Sequence, residues 1–148
     1  MLANDKSILK FYLIASTIVN ALIILLVCSL ARADDTIAVQ TVAWESSNQS
    51  FIGQVAVASV IKTRMVERHQ TSKAVCKAPY QFSCWHPKTG KATQQRRITD
   101  KERAKAKQAW DIAVPGKYNH YCRYDVKPAW TKAAKSSVRI GDHVFYEL

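Results

Sequence analysis

Residues 42–65 constrain the fold most. A polar stretch at 46–50 is followed there by a segment that is too apolar for a surface helix. Positions 55–61 read Val-Ala-Val-Ala-Ser-Val-Ile, which is apolar on nearly every side of a helix. A helix that is apolar all round belongs in a core. The sequence therefore predicts a buried helix over residues 51–67, with Ser50 as its amino-terminal cap.

Ahead of this helix, Glu45 ends a shorter predicted helix that begins at Asp34, where aspartates suit the cap. Ala38, Val42 and Glu45 fall on one helical stripe at i, i+4 and i+7, so the carboxylate shares a face with apolar side chains. Desolvation there disfavours the charged form, which makes Glu45 a candidate general acid. The alternative, from spacing alone, is that Glu45 merely ends its helix and points to water.

Four sequence motifs follow one another after residue 33. They are Trp44-Glu45 with Gln49 and the run from Gly53 to Arg64; Gln81-Phe82-Ser83-Cys84-Trp85; His120-Tyr121 with Val126-Lys127-Pro128-Ala129-Trp130; and Ile140-Gly141-Asp142-His143-Val144-Phe145-Tyr146. Together they resemble the SleB-type cell wall hydrolases, a family of spore cortex-lytic enzymes with phage and bacterial relatives. The chain departs from the family at Gln49, where a second acidic residue is frequent, and at Thr63, where an asparagine is common.

The resemblance implies a lysozyme-like, mostly helical α+β domain over residues 34–148. It also implies cleavage of the bond between N-acetylmuramic acid and N-acetylglucosamine in peptidoglycan, with the family's essential glutamate at Glu45. Glycan strands are the expected partner, and the expected substrate-binding residues are Gln49, Gln81, Phe82, Ser83, His120, Tyr121, Trp130, His143 and Tyr146. No metal and no cofactor is expected, and the enzyme is expected to be a monomer.

Residues 118–148 are rich in aromatic side chains and histidine. Sugar rings stack on flat aromatic faces while their hydroxyls bond to polar tips, so this composition suits a saccharide groove. A small core needs aromatic side chains as well. For Trp130 or Phe145 taken singly, a core position is the more ordinary expectation.

Residues 1–33 have the pattern of a secretory signal peptide. Basic residues precede an apolar stretch at 11–30, and Ala31-Arg32-Ala33 forms an Ala-x-Ala cleavage signal. The stretch is about 20 residues long, which also suits a retained membrane anchor. Both interpretations make the membrane a partner during export. They place the rest of the chain in the periplasm or cell wall, where it could stay tethered to the inner membrane.

The formal net charge is +11, which favours an anionic partner. An acidic cell wall, acidic lipid and nucleic acid all meet that requirement. An exported chain rarely meets nucleic acid. Nucleic acid is therefore the least expected of the three and is not predicted as a partner. The alternative to an enzyme is a non-catalytic exported binder of peptidoglycan or another polyanion.

Three cysteines, Cys76, Cys84 and Cys122, follow the apolar segment, and Cys28 lies inside it. Disulfides form in the oxidising compartments that exported proteins enter. The sequence therefore predicts at least one disulfide between two of Cys76, Cys84 and Cys122. The remaining thiol would be unpaired, or would pair with Cys28 if the anchor is retained.

The middle of the chain predicts a short helical turn at 70–78, a loop or short strand at 80–85, and a basic loop at 86–97. Thr99 and Glu102 form a capping-box pattern that opens a helix reaching about residue 114. Its predicted inner face comprises Ala106, Ala109, Trp110 and Ala113.

Glycoside hydrolysis normally uses two carboxylates that flank the bond, yet Gln49 stands where the nearest second acid would be. One acid suffices when the sugar's own 6-hydroxyl attacks its anomeric carbon. The sequence therefore favours a lytic transglycosylase. If water is the nucleophile instead, Asp125 or Asp142 is the expected second carboxylate.

Overall fold

The computed structural model describes the backbone of residues 3–85 and 97–148, and the side chains of these residues except at 3–11, 13 and 26–34. The predicted basic loop therefore lies almost wholly outside the described residues, and the side chains of Cys28 and of the cleavage signal at 31–33 are not described. The chain divides into two compact units, Met1–Ala33 and Asp34–Leu148. The functional site lies within the second unit.

The first helix, α1, spans Ala3–Ser46. The prediction that a helix begins at an aspartate cap at Asp34 is therefore wrong. Residues 31–36 contain neither proline nor glycine, so nothing in the local sequence ends a helix there. A search of the described residues finds no helix whose length and apolar character would let it cross a membrane.

Three further helices agree with the sequence predictions: α2 (Phe51–Arg68), α3 (Ser72–Lys77) and α4 (Asp100–Ile112). Helix α2 is the predicted buried helix, and the Oγ atom of Ser50 accepts a hydrogen bond from the backbone N–H of Gly53 at 3.2 Å. The helix ends where His69 adopts a left-handed conformation with φ 50°. The predicted start, cap and burial of α2 are confirmed.

A small antiparallel sheet follows the helices. It comprises β1 (His120–Arg123), β2 (Ser136–Ile140) and β3 (His143–Glu147), with β3 in the centre. A short 3₁₀ helix, Ala129–Ala133, lies between β1 and β2. Residues 80–85 form turns rather than a strand. The second unit is thus a helix-rich α+β fold with one small sheet.

The core lies where the carboxyl-terminal part of α1, helix α2 and the sheet meet. Its largest fully buried apolar side chains are Phe82, Phe145, Ile61, Val42, Val57, Val60 and Val75. The inner face of α4 adds Ala106, Ala109, Trp110 and Ala113, as predicted. Phe82 and Phe145 come from a turn and a strand, so the core joins distant parts of the chain.

The predicted disulfide is wrong for this structure, because all three described cysteines are thiols. The Cys76 thiol is buried and hydrogen-bonds with Thr41. The Cys84 thiol hydrogen-bonds with Glu45, and Cys122 donates to a backbone carbonyl at 3.3 Å. Each sulfur is therefore engaged with a different group of the fold.

The capping box of α4 provides a test of local stability. The Thr99 hydroxyl accepts from the backbone of Glu102 at 3.2 Å, and the Glu102 carboxylate accepts from the backbone of Thr99 at 2.9 Å. We expect Thr99→Ala to lower the free energy of unfolding by about 1 kcal/mol, because the first turn loses its cap. Urea unfolding measures this as a lower midpoint at unchanged slope. Thr99→Ser keeps the hydroxyl and is the matched control, and equal loss in both variants would contradict the cap's role.

Candidate active site

Glu45 lies in the last turn of α1, at the edge of the core. Ala38 and Val42, on the same stripe of the helix, are fully buried. Glu45 itself is half-buried. The predicted apolar stripe that leads to a carboxylate is therefore confirmed. The carboxylate stands where this buried face reaches an open cavity.

Four hydrogen-bond donors from two other parts of the chain hold the Glu45 carboxylate, and the Cys84 thiol is one of them. The Tyr121 hydroxyl on β1 donates to Oε2 at 3.1 Å. The Ser83 hydroxyl and the backbone N–H of Cys84 both donate to Oε1 at 3.3 Å. Both carboxylate oxygens are thus occupied, which fixes the orientation of the group.

The turn that carries Ser83 and Cys84 is itself anchored to α1. The indole N–H of Trp85 donates to the Thr41 hydroxyl at 2.9 Å. The ring of Trp85 packs edge-on against Trp44, with 5.1 Å between centroids. The donors on this turn are therefore held by the same helix that carries the carboxylate.

Burial keeps two of the side chains around Glu45 protonated. Desolvation raises the pKa of Tyr121 well above its ordinary value, and the neighbouring Glu45 charge raises it further. Desolvation and the same charge also raise the pKa of the Cys84 thiol. A raised pKa of an acidic group favours its neutral form. Both groups consequently remain hydrogen-bond donors at neutral pH.

A cavity of about 310 Å³ opens beside the carboxylate. Its lining combines three charged side chains, polar tips and aromatic rings. The lining residues are Glu45, Arg64, Tyr80, Gln81, Phe82, Ser83, Tyr121, Cys122, Arg123 and His143. Sequence reasoning had assigned Gln81, Phe82, Ser83, Tyr121 and His143 to substrate binding, and the structure brings these five together around Glu45.

Arg64 is a cavity residue that the sequence analysis named only as part of a motif. Its side chain is 4% exposed, and its Nε donates to the backbone carbonyl of Asn119 at 2.6 Å. Burial lowers the pKa of Arg64 to about 10, so the guanidinium remains charged at neutral pH. Nη1 has no hydrogen-bond partner among the described residues. Its position on the stripe of Val57 and Ile61, at i, i+4 and i+7, is the signal that could have identified it.

His143 contributes an imidazole to the cavity, beside the two arginines. Its ring lies 5.1 Å from that of Tyr121, centroid to centroid. Desolvation lowers the pKa of His143, which favours the neutral imidazole at neutral pH. Its Nδ1 atom is buried and has no hydrogen-bond partner among the described residues.

Three other predicted substrate residues form a separate aromatic group. The ring of Trp130 lies 5.3 Å from His120 and 5.3 Å from Tyr146, centroid to centroid. His120 pairs with Tyr146 across β1 and β3, next to the pair of Tyr121 with Phe145. Side chains alternate between the two faces of a sheet. His120 and Tyr146 therefore face away from Glu45, and none of the three lines the cavity.

Neither Asp125 nor Asp142 lines the cavity. Asp125 is exposed and forms an ion pair with Arg123, and Asp142 accepts a hydrogen bond from Gln49 at 3.1 Å. Residues 86–96 contain no acidic residue at all. Of the side chains that the structure describes, Glu45 alone places a carboxylate on the cavity wall. Nor do those side chains include a group of three histidine, cysteine or acidic residues that could bind a metal ion.

Comparison with known proteins supports the architecture. The chain is similar to the catalytic domain of the SleB protein of Bacillus cereus, with 24% sequence identity and a TM-score of 0.60 over 78% of this chain and 91% of that chain. It is equally similar to the catalytic domain of the germination-specific lytic transglycosylase SleB of Bacillus anthracis, with 24% identity and a TM-score of 0.60 over 77% and 93% of the two chains. No curated protein sequence matches the chain.

The sequence profile of the Cell Wall Hydrolase family matches residues 48–146. This match covers most of the chain and begins just after Glu45. It includes the cavity residues on α2, the turn that follows α3, and the sheet. The chain therefore belongs to the Cell Wall Hydrolase family and is an enzyme that acts on the cell wall.

Proposed function

We propose that the enzyme cleaves the bond between N-acetylmuramic acid and N-acetylglucosamine in peptidoglycan as a lytic transglycosylase, with Glu45 as its general acid and base. The observation that carries the proposal is that, of the side chains that the structure describes, Glu45 alone places a carboxylate on the cavity wall, where four donors hold it. One of the two similar structures is named as a lytic transglycosylase. Peptidoglycan lies outside the cytoplasm, which agrees with the export expected from residues 1–33.

The reaction needs two proton transfers, both at the Glu45 carboxyl group. Protonated Glu45 donates its proton to the glycosidic oxygen, and the bond from that oxygen to the anomeric carbon breaks with its electron pair on the leaving sugar. The 6-hydroxyl of the muramic residue attacks the anomeric carbon and forms the 1,6-anhydro bond. The Glu45 carboxylate then takes the hydroxyl proton, which regenerates the acid. No water is consumed, so no second carboxylate is required.

The donors around Glu45 suit its transient negative charge. Once the proton has left, the hydrogen bonds from Tyr121, Ser83 and the Cys84 backbone stabilise the carboxylate. These donors are already in place, so the charge develops without reorganisation of the site. Their geometry therefore favours the step in which Glu45 loses its proton.

Substrate contacts are proposed for the polar groups that share the cavity with Glu45. Gln81 and Ser83 come from the turn after α3, and His143 comes from β3. Arg64 adds a positive charge that suits carbonyl and carboxylate oxygens of a substituted sugar. The formal net charge of +11 favours association with an acidic wall.

The first test removes the proton. We expect Glu45→Gln to reduce clearing of a purified peptidoglycan suspension by about 10²- to 10⁴-fold, because an amide of nearly the same shape cannot protonate the leaving oxygen. Circular dichroism and co-sedimentation with peptidoglycan measure folding and binding separately. Asp111→Asn, which removes an exposed charge on α4, is the matched control and should clear at the native rate. A folded Glu45→Gln protein that clears at the native rate would contradict the assignment.

The second test identifies the nucleophile. Digestion in oxygen-18 water followed by mass spectrometry should give muramic ends that lack the label and carry the 1,6-anhydro mass, because the 6-hydroxyl attacks instead of water. A lysozyme digest run in parallel should incorporate the label. Labelled muramic ends from this enzyme would show hydrolysis and would overturn the single-acid mechanism.

The third test concerns the donor on β1. We expect Tyr121→Phe to lower kcat by about ten- to a hundredfold, since a hydrogen bond to a charged group contributes about 1.5–3 kcal/mol. The ring keeps its packing against Phe145, so thermal stability should change little. Tyr124→Phe removes the hydroxyl of a more exposed tyrosine near the same strand and serves as the control. Equal kcat in the native and Tyr121→Phe enzymes would show that this hydroxyl does not act through Glu45.

A further inference from the structure

Gln49, expected from the sequence to bind substrate, instead contacts the hairpin between β2 and β3. Its Nε2 donates to Oδ2 of Asp142 at 3.1 Å, and the backbone N–H of Asp142 donates to its Oε1 at 3.0 Å. Both ends of the amide are thus paired with Asp142, and Nε2 also donates to Oδ1 of the neighbouring Asn48 at 3.1 Å. Gln49 is 6% exposed and does not line the cavity.

The hairpin turn is packed directly against this amide. Gly141 has a φ of +60°, and a Cβ atom at this position would lie 2.5 Å from Oε1 of Gln49. A side chain here would be strained by the backbone conformation and would displace the amide. The Asp142 carbonyl also accepts from the backbone N–H of Tyr124 at 2.9 Å, just after β1. The turn, the end of β1 and Gln49 therefore meet at one residue.

The contact between Gln49 and Asp142 is connected to Glu45 by two routes, one along the chain and one through space. Along the chain, Gln49 follows Glu45 by one turn. Through space, Asp142 precedes His143, whose ring lies 5.1 Å from Tyr121, and Tyr121 donates to Glu45 at 3.1 Å. Movement of the hairpin turn would therefore displace the groups that face the carboxylate.

We propose that Gln49 and Asp142 act as a positioning pair, which fixes the β2–β3 turn so that His143 and Tyr121 stay against Glu45. The proposal rests on the proposed function, because the residues that it positions are those of that site. Gln49 itself touches neither the cavity nor the reacting atoms. Its role is to hold the strand that carries His143.

The chemistry of the pair explains why an amide stands at position 49. A glutamate there would bring a second carboxylate within hydrogen-bond distance of Asp142, and two like charges so close disfavour joint ionisation. One carboxylate and one amide can form a hydrogen bond between the two side chains, whichever of positions 49 and 142 carries the acid. An acid at position 49 therefore requires an amide at position 142.

Other charged groups around the pair are the same in every variant of the test. Lys105 of α4 donates to the Gln49 carbonyl at 3.3 Å, and Arg139 of β2 donates to the Gly141 carbonyl at 3.0 Å. Arg123 and His143 interact electrostatically with Asp142. The activity of each variant divided by that of the native enzyme at the same pH therefore isolates the effect of the pair.

The test exchanges acid and amide. We expect Gln49→Glu to lower peptidoglycan clearing by about tenfold near neutral pH, a coupling within the range of neighbouring residues. The ratio to native should recover as the pH falls, because protonation of one carboxyl restores a hydrogen bond between the two. The double variant Gln49→Glu with Asp142→Asn should restore clearing near neutral pH. If Gln49→Glu lowered clearing only by disrupting the fold, neither low pH nor the added Asp142→Asn substitution would restore it.

Gln108→Glu makes the same change at an exposed position of α4 and should match the native enzyme at every pH. Hydrogen exchange of the Asp142 amide, which is bonded to Gln49, reports on the pair without any activity. Faster exchange in Gln49→Glu, reversed in the double variant, supports the pair. Native-like clearing and exchange in Gln49→Glu would overturn it. Absence of clearing by the native enzyme would overturn the proposed function instead, and the exchange rates would still decide whether the pair exists.

Discussion

The hydrogen bond from Tyr121 to Glu45 is the contact on which the site depends, because it joins the end of α1 to the sheet. Glu45 reaches the cavity at the end of a buried helical stripe, whereas Tyr121 belongs to a strand far along the chain. The apolar core brings the two together. Burial of Phe82 and Phe145 places the turn after α3 and strand β3 against α2, so the same packing assembles both the core and the site.

Burial also sets the protonation of the groups that surround the carboxylate. Desolvation keeps the Tyr121 hydroxyl and the Cys84 thiol neutral. Arg64 stays charged inside the protein although burial lowers its pKa to about 10. An ion in such a place is costly unless it is hydrogen-bonded. Only its Nε has a backbone partner that the structure shows, while Nη1 has none. This incomplete pairing on a cavity wall is more typical of a site that receives polar ligand atoms than of a closed core.

The order of residues along the strands decides which aromatic side chains reach Glu45. On β1, neighbouring residues point to opposite faces, so Tyr121 enters the site and His120 does not. On β3 the same alternation separates His143 from Tyr146. Composition alone grouped all of these residues as one saccharide surface. Strand register places Tyr121 and His143 on one face of the sheet and His120 and Tyr146 on the other. Of the two faces, only that of Tyr121 and His143 contributes these aromatic rings to the cavity.

The sequence by itself determined the buried helix α2 and its Ser50 cap, the capping box of α4, and the stripe that leads to Glu45, because these depend on residues only a few positions apart. It also determined the family, through motifs that lie in order along the chain. Only the tertiary structure decided the partners of Glu45, the place of Arg64 in the cavity and the pairing of Gln49 with Asp142. The same holds for the three thiols, two of which were expected to form a disulfide in an oxidising compartment. These contacts join residues far apart in sequence, and core packing and strand register, not local pattern, fix them.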